Sequence, residues 1–308
     1  MAISTRAVTT RLVTEGQSAA SVGLQQAALD LAQAMPRLAL EARQVATTAM
    51  HGLHGRRRAG QGENFWQFRH FTPGEAAANV DWRRSARGDN LYVREHEWDA
   101  AQTLWLWVDR SASMSLVSSL AQTSKIERAL VLCLALADLL VHGGERVGLI
   151  GLVRPSSQRA IVEKLALALM ASKAPPASLP EPISLAPRSE AILIGDFLCE
   201  PKELAATIAV LASRGARGHL LVIADPIEEA FPFAGRAELV DPENGAKFLA
   251  ERTQDLRQAY ELKLAGHRQA LREIALRYGW SMTLHRTDRS ASQAVLALHP
   301  LLREGIGA

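Results

Sequence analysis

What this chain lacks narrows its chemistry before any motif is read. Among 308 residues only two are cysteine, Cys133 and Cys199, far apart and in apolar surroundings. They offer neither a disulfide framework nor a Cys-x-x-Cys metal pair, which points to a reducing compartment. There is no Walker-type glycine loop, so nucleotide hydrolysis by this chain is not expected. There is no Gly-x-Ser-x-Gly elbow, which withdraws the usual support for a serine nucleophile. Charge of neither sign dominates: 35 basic residues face 32 acidic ones, too small an excess to imply nucleic acid by itself. The longest strongly apolar run, ALVLCLALADLLV, is too short to span a bilayer and carries Asp138. The opening MAISTRAVTTRLVTEG has no apolar core and no cleavage-site pattern, so a cytoplasmic protein without direct membrane insertion is expected.

What is present reads as three segments. Residues 1–50 form a helical lead-in, with apolar spacing interrupted or kinked at Pro36. Residues 51–102 are rich in Gly, Arg and aromatics without a sustained period; NLYVREHEW is the best strand candidate there. From residue 103 to 308 the texture alternates: strands TLWLWV, ERVGLIGL, AILIG, GHLLVIAD and WSMTLH are separated by helical stretches. KAPPASLPEPISLAPR is a proline-rich connection that cannot be helical. One long helix carries Leu256, Tyr260, Leu264, His267, Leu271, Ile274 and Tyr278 on a single face. Strands separated by helices predict an α/β domain: a mostly parallel sheet with helices on both faces.

The chemistry concentrates in LWLWVDRSASMSL, where Asp109, Ser111 and Ser113 follow an apolar strand at spacings of two. Ligands of open parallel sheets bind beyond the carboxyl ends of the strands. A hard cation such as Mg²⁺, or Mn²⁺ in its place, takes oxygen ligands, and AILIGDFL supplies a further strand-end acid, Asp196. The plainer reading is that Asp109 and the serines accept loop N–H groups and cap the next helix. Both readings stand at this point.

The block around Arg56, Arg57, Arg58, Arg69, Arg83, Arg84, Arg87 and Arg94 interleaves Phe65, Trp66, Phe68, Phe71 and Trp82. Arginine with aromatics can grip nucleic acid. Yet Glu63, Glu75, Asp81, Asp89, Glu95 and Glu97 lie in the same block. Ion pairs that hold an irregular region, with Asp81 in an arginine fork, are the favoured account. His51 and His54 lack further ligands for zinc. Arg110 and Ser111 follow Asp109 where an aspartyl-phosphate phosphatase would need a second Asp.

Strand, Asp-x-Ser-x-Ser-Met, helix and later strand-Asp resemble a von Willebrand factor A domain with its metal-ion-dependent adhesion site. GENFWQFRHFTPGE, VDWRRSAR and LYVREHE directly upstream of VDRSASM resemble, more specifically, the bacterial family of domain of unknown function 58. The resemblance implies a von Willebrand A-like, Rossmann-type domain behind a helical and Arg-rich extension. It implies Ser111 and Ser113 as direct metal ligands, with Asp109 and Asp196 acting through waters. The threonine usual to such sites has no clear counterpart in KAPPASLPEPISL, where Ser178 is the available substitute. The resemblance further implies a non-enzymatic interaction module, an adaptor or partner of a MoxR-type AAA+ ATPase that also meets a client protein. Two alternatives remain: a metal-dependent hydrolase using Asp109, Asp196 and Asp225, and a nucleic-acid-binding protein acting through the Arg-rich block.

Overall fold

The computed structural model describes residues 4–5, 33–50, 65–72, 80–88, 90–96, 102–172 and 177–304. In chain order the first strands are β1 (Ser4–Thr5), β2 (Phe65–His70), β3 (Tyr92–His96) and β4 (Thr103–Val108). There follow β5 (Arg146–Leu149), β6 (Val153–Ser156), β7 (Ser189–Gly195) and β8 (Arg217–Ala224). The last are β9 (Ala237–Val240), β10 (Lys247–Ala250) and β11 (Ser281–Arg286). The helices begin with α1 (33–50), α2 (Trp82–Ser85), α3 (Lys125–His142) and α4 (Ile161–Ala171). They continue with α5 (Pro201–Leu211), α6 (Pro226–Ala230), α7 (Arg257–Arg277) and α8 (Ala291–Glu304).

Two compact units divide the chain, one of residues 1–53 with 102–308, the other of residues 54–101. The larger unit is the α/β fold the sequence predicts. Its six-stranded sheet runs in the order β11-β8-β7-β4-β5-β6, and every pair is parallel except β5 with β6. Strand β6 contains Pro155, which an edge position tolerates because no ladder N–H is needed there. Side chains of a strand alternate between faces, and LWLWV shows the consequence. Leu104, Leu106 and Val108 enter the core cluster that contains α1, α3, α4 and α8. Trp107 enters the opposite cluster, with residues of α5 and α7.

Helix α3 explains the long apolar run. Residues 129–137 are each at most 1% exposed, so the helix is apolar on all sides because it is covered on all sides. Helix α1 is part of that cover: Leu38, Ala42, Ala46 and Ala49 are buried in the same cluster. Salt bridges tie it down at the rim, Arg37 to Glu127 and Arg43 to Glu163. Helix α1 therefore packs as an integral layer of the α/β unit. Among the described residues no helix is long and apolar enough to cross a membrane.

The smaller unit pairs β2 with β3 antiparallel. Asp81 caps α2, its Oδ1 accepting the Arg84 backbone N–H at 2.9 Å. The Arg84 guanidinium lies 5.4 Å from the ring centres of both Phe68 and Tyr92, a cation–π contact. Ser85 Oγ donates to Asp81 O and accepts from Tyr92 N, joining helix to strand. What the structure describes at Asp81 is thus a helix cap, with Arg84 turned onto aromatic rings. Arg56, Arg57, Arg58, His51, His54, Glu63, Glu75, Asp89 and Glu97 lie outside the described residues.

Candidate functional site at the carboxyl edge of the sheet

Strands β4, β7 and β8 are neighbours and parallel, so the residues that follow them share one edge. Those residues are Asp109, Asp196 and Asp225, and all three are buried. The Asp109 N–H donates to Ile194 O at 2.8 Å, which continues the β4–β7 ladder to the site itself.

Asp109 organises the serine loop. Its Oδ1 accepts the Ser111 N–H at 2.8 Å and the Ser111 hydroxyl at 2.6 Å. Ser111 and Ser113 share a hydrogen bond of 3.1 Å between their hydroxyls. A single 3₁₀ turn, Ala112–Ser115, then carries the chain away. The other oxygen of Asp109, Oδ2, is buried without a hydrogen-bond partner. Burial, reinforced by the nearby Asp196 charge, pushes the Asp109 carboxyl up to about 7 against the opposing pull of Ser111.

Both oxygens of Asp196 accept hydrogen bonds. Phe197 takes a left-handed φ of 49°, which turns the chain so that Leu198 N–H reaches back to Asp196 Oδ1 at 3.2 Å. Asp196 Oδ2 accepts from Lys125 Nζ at 2.8 Å. Burial alone would raise this carboxyl, but the Lys125 ammonium and the Ser113 hydroxyl hold it below its ordinary value. Lys125 is itself fully buried and donates a second bond to Glu228 Oε1 at 2.7 Å. Burial opposes its charge, yet Asp196 and Glu228 together raise it above the usual lysine range.

Asp225 has a structural occupation. It caps α6 through Ile227 N–H and fixes the end of the serine loop through Ser118 N–H and Oγ. Glu228 completes that cap by accepting the Asp225 N–H at 2.9 Å. From a different direction comes Glu243, in the turn between β9 and β10, whose Oε1 accepts the Ser113 N–H at 2.8 Å. Beside the lysine cluster opens a cavity of about 490 Å³, lined by Asp196, Glu228, Tyr260, His267 and Arg268 among others.

The four residues predicted as a metal set, Asp109, Ser111, Ser113 and Asp196, do come together at this edge. Their chemistry nevertheless does not fit a resident divalent ion. Asp196 is engaged by an ammonium and an N–H, which a divalent ion would have to displace. None of the described hydrogen bonds joins Ser178 to these residues, and no group of three acidic, His or Cys ligands forms among the described residues. The serine loop is held by its own hydrogen bonds, and the Lys125 ammonium lies against Asp196. Sequence reasoning missed Lys125, Glu228 and Glu243. A lysine at the first position of a helix, where the dipole disfavours it, was the available signal for the first of these.

Residues 67–270 match the family described as protein of unknown function DUF58. Uncharacterized proteins of Mycobacterium tuberculosis and Mycobacterium bovis are each 26% identical over 275 residues, covering 84% of this chain and 86% of their own. Among solved structures, an aerotolerance-related membrane protein from Bacteroides fragilis, with multiple mutations to serines, is similar at 15% identity and a TM-score of 0.41. A conserved hypothetical protein BatB from Bacteroides thetaiotaomicron is similar at 15% identity and a TM-score of 0.39. Each covers 66% of this chain and 100% of the other.

Proposed function

The chain belongs to the DUF58 family, and from that premise we propose that it is a non-enzymatic protein-interaction module whose docking face is the serine-loop edge. The partner we assign it is a MoxR-type AAA+ ATPase, with a client protein as the further participant. One observation carries the reading: the Ser113 N–H already holds a carboxylate, that of Glu243, brought from 130 residues further along the chain. A loop that seats an acidic side chain of its own can seat one offered by a partner, through the same charge-assisted bond. Among the described residues, two of the three strand-end acids and both thiols support the same assignment. The oxygens of Asp196 and Asp225 are engaged by protein donors. Burial pushes the thiols of Cys133 and Cys199 up to about 12, so neither is a ready nucleophile at neutral pH.

The test is direct binding of the purified cognate ATPase to wild type and to Asp109→Ala, with circular dichroism to verify that the variant is folded. Wild type should bind, and a folded Asp109→Ala should not, because Ser111 N–H loses the carboxylate that shapes the loop. No binding by wild type, or a metal-dependent phosphoesterase activity lost in Asp109→Ala and Asp196→Ala, would replace this reading with the hydrolase.

A further inference from the structure

We propose that Lys125 is the resident cation of the serine-loop edge: its ammonium, fixed between Asp196 and Glu228, supplies the positive charge these carboxylates require, and the wild-type chain binds no divalent ion there. The inference is independent of whether the edge docks a partner.

The position of Lys125 is costly by itself. It opens α3, directly after the Ser124 cap, where the helix end already carries partial positive charge. It is also 0% exposed, so its ammonium has given up water completely. Two carboxylates at 2.8 and 2.7 Å offset both penalties. Those carboxylates come from separate elements, the end of β7 and helix α6, so the lysine joins three parts of the edge.

The fixed ammonium works against a second cation. Lys125 already sits on both Asp196 and Glu228, and the backbone N–H groups of Leu198 and Asp225 donate to the same two carboxylates. A divalent ion on Asp196 would sit against a fixed ammonium in a poorly solvated pocket, where like charges repel strongly. It would also have to displace donors from a carboxylate whose two oxygens both already accept hydrogen bonds.

Removing the lysine should reverse the preference. In Lys125→Ala, Asp196 and Glu228 are left facing one another beside Asp109 and two serine hydroxyls, an all-oxygen set suited to Mn²⁺ or Mg²⁺. The experiment is a thermal-shift titration of the full chain with each metal to about 10 mM, with Mn²⁺ binding followed by electron paramagnetic resonance. Wild type and Ser111→Ala/Ser113→Ala should both remain flat. Lys125→Ala should melt lower in chelator and gain about 3–5 °C with Mn²⁺. A saturable rise in wild type that Ser111→Ala/Ser113→Ala removes would overturn the proposal. So would a folded Lys125→Ala as indifferent to Mn²⁺ as wild type. Should Lys125→Ala not fold, the neutral triple variant Lys125→Met/Asp196→Asn/Glu228→Gln decides. It should fold and ignore metal; its failure to fold would sink the electrostatic account.

Discussion

Gly195 lies directly against Asp109: a β-carbon built on Gly195 would stand 2.6 Å from Asp109 Cβ and 2.9 Å from its Oδ2. The last residue of β7 must therefore lack a side chain for the first residue beyond β4 to turn inward and shape the serine loop. Gly195→Ala should cost about 1–3 kcal/mol, the usual range for forcing atoms into a filled core. It should also weaken ATPase binding, because the clash displaces Asp109. Gly218→Ala is the control. There the added carbon would meet the Trp280 ring at 2.5 Å, remote from the loop. Urea denaturation should show loss of stability in both variants, and binding assays should show a defect only in Gly195→Ala.

A second expectation concerns the smaller unit. Asp81 accepts the Arg84 N–H as an N-cap, so Asp81→Ala should lower stability by about 1 kcal/mol, the typical cost of a lost cap. Asp81→Asn keeps an acceptor at the same place and should restore most of it. A loss of about 3–5 kcal/mol unrelieved by Asn would instead mean that charge lost from a buried ion pair matters more than the cap.

The strand-end acids were legible because each follows an apolar run of the kind that fills a central parallel strand, and parallel neighbours align such ends. The serine spacing was legible for the same reason. Lys125 was not, since its burial depends on Asp196 and Glu228, 71 and 103 residues away. Its one mark in TSKIER is its place at the first position of a helix, where the dipole disfavours a cation, and that does not show that it is buried. The β9–β10 hairpin was passed over although Asn244 and Gly245 form a turn signature, with Gly245 at φ 73°. Strands of four residues, AELV and KFLA, carry too little pattern to register. Losing that hairpin meant losing Glu243 with it. Strand β6 and helix α6, of four and five residues, escaped for the same reason.

A third prediction uses pH. Burial, aided by Arg217 for His219 and by Arg128 for His285, lowers both imidazoles to about 4, and each leaves Nε2 without a partner. A folded-state value below the unfolded one means that the unfolded chain takes the proton first. Each histidine therefore contributes stability above pH 6.5 that is lost as the pH falls toward 4, on the order of 2–3 kcal/mol each. Asp109 and Glu190, both raised to about 7 chiefly by burial, act in the opposite sense. Their contribution is present near pH 4 and disappears as the pH rises through 7. The two effects partly cancel in wild type, so the useful quantity is a difference. Relative to wild type, His219→Gln/His285→Gln should lose less stability between pH 7 and pH 5 in urea titrations. An unchanged difference across that range would show that neither histidine is held neutral by the fold.

The last prediction addresses Glu243. Its turn is built to present it: the Asp241 N–H donates to Ala246 O at 2.8 Å, the Gly245 N–H to Asp241 O at 2.9 Å, and the Glu243 N–H to Asp241 Oδ1 at 2.9 Å. The carboxylate then reaches Ser113 N–H from a largely exposed residue. The bond is partly buried and Ser113 is 3% exposed, so Glu243→Ala leaves the Ser113 N–H unpaired and should cost about 1–3 kcal/mol of folding free energy. Its effect on binding should have the opposite sign. If the serine loop accepts a partner's acidic side chain, Glu243 competes with it, and removing the competitor should tighten ATPase binding several-fold. Glu243→Gln keeps an oxygen acceptor but drops the charge, so it should fall between wild type and Glu243→Ala. Weaker binding in Glu243→Ala would reverse the assignment, making Glu243 part of the surface that the partner grips. Equal binding by all three proteins would place the contact away from Ser113 altogether.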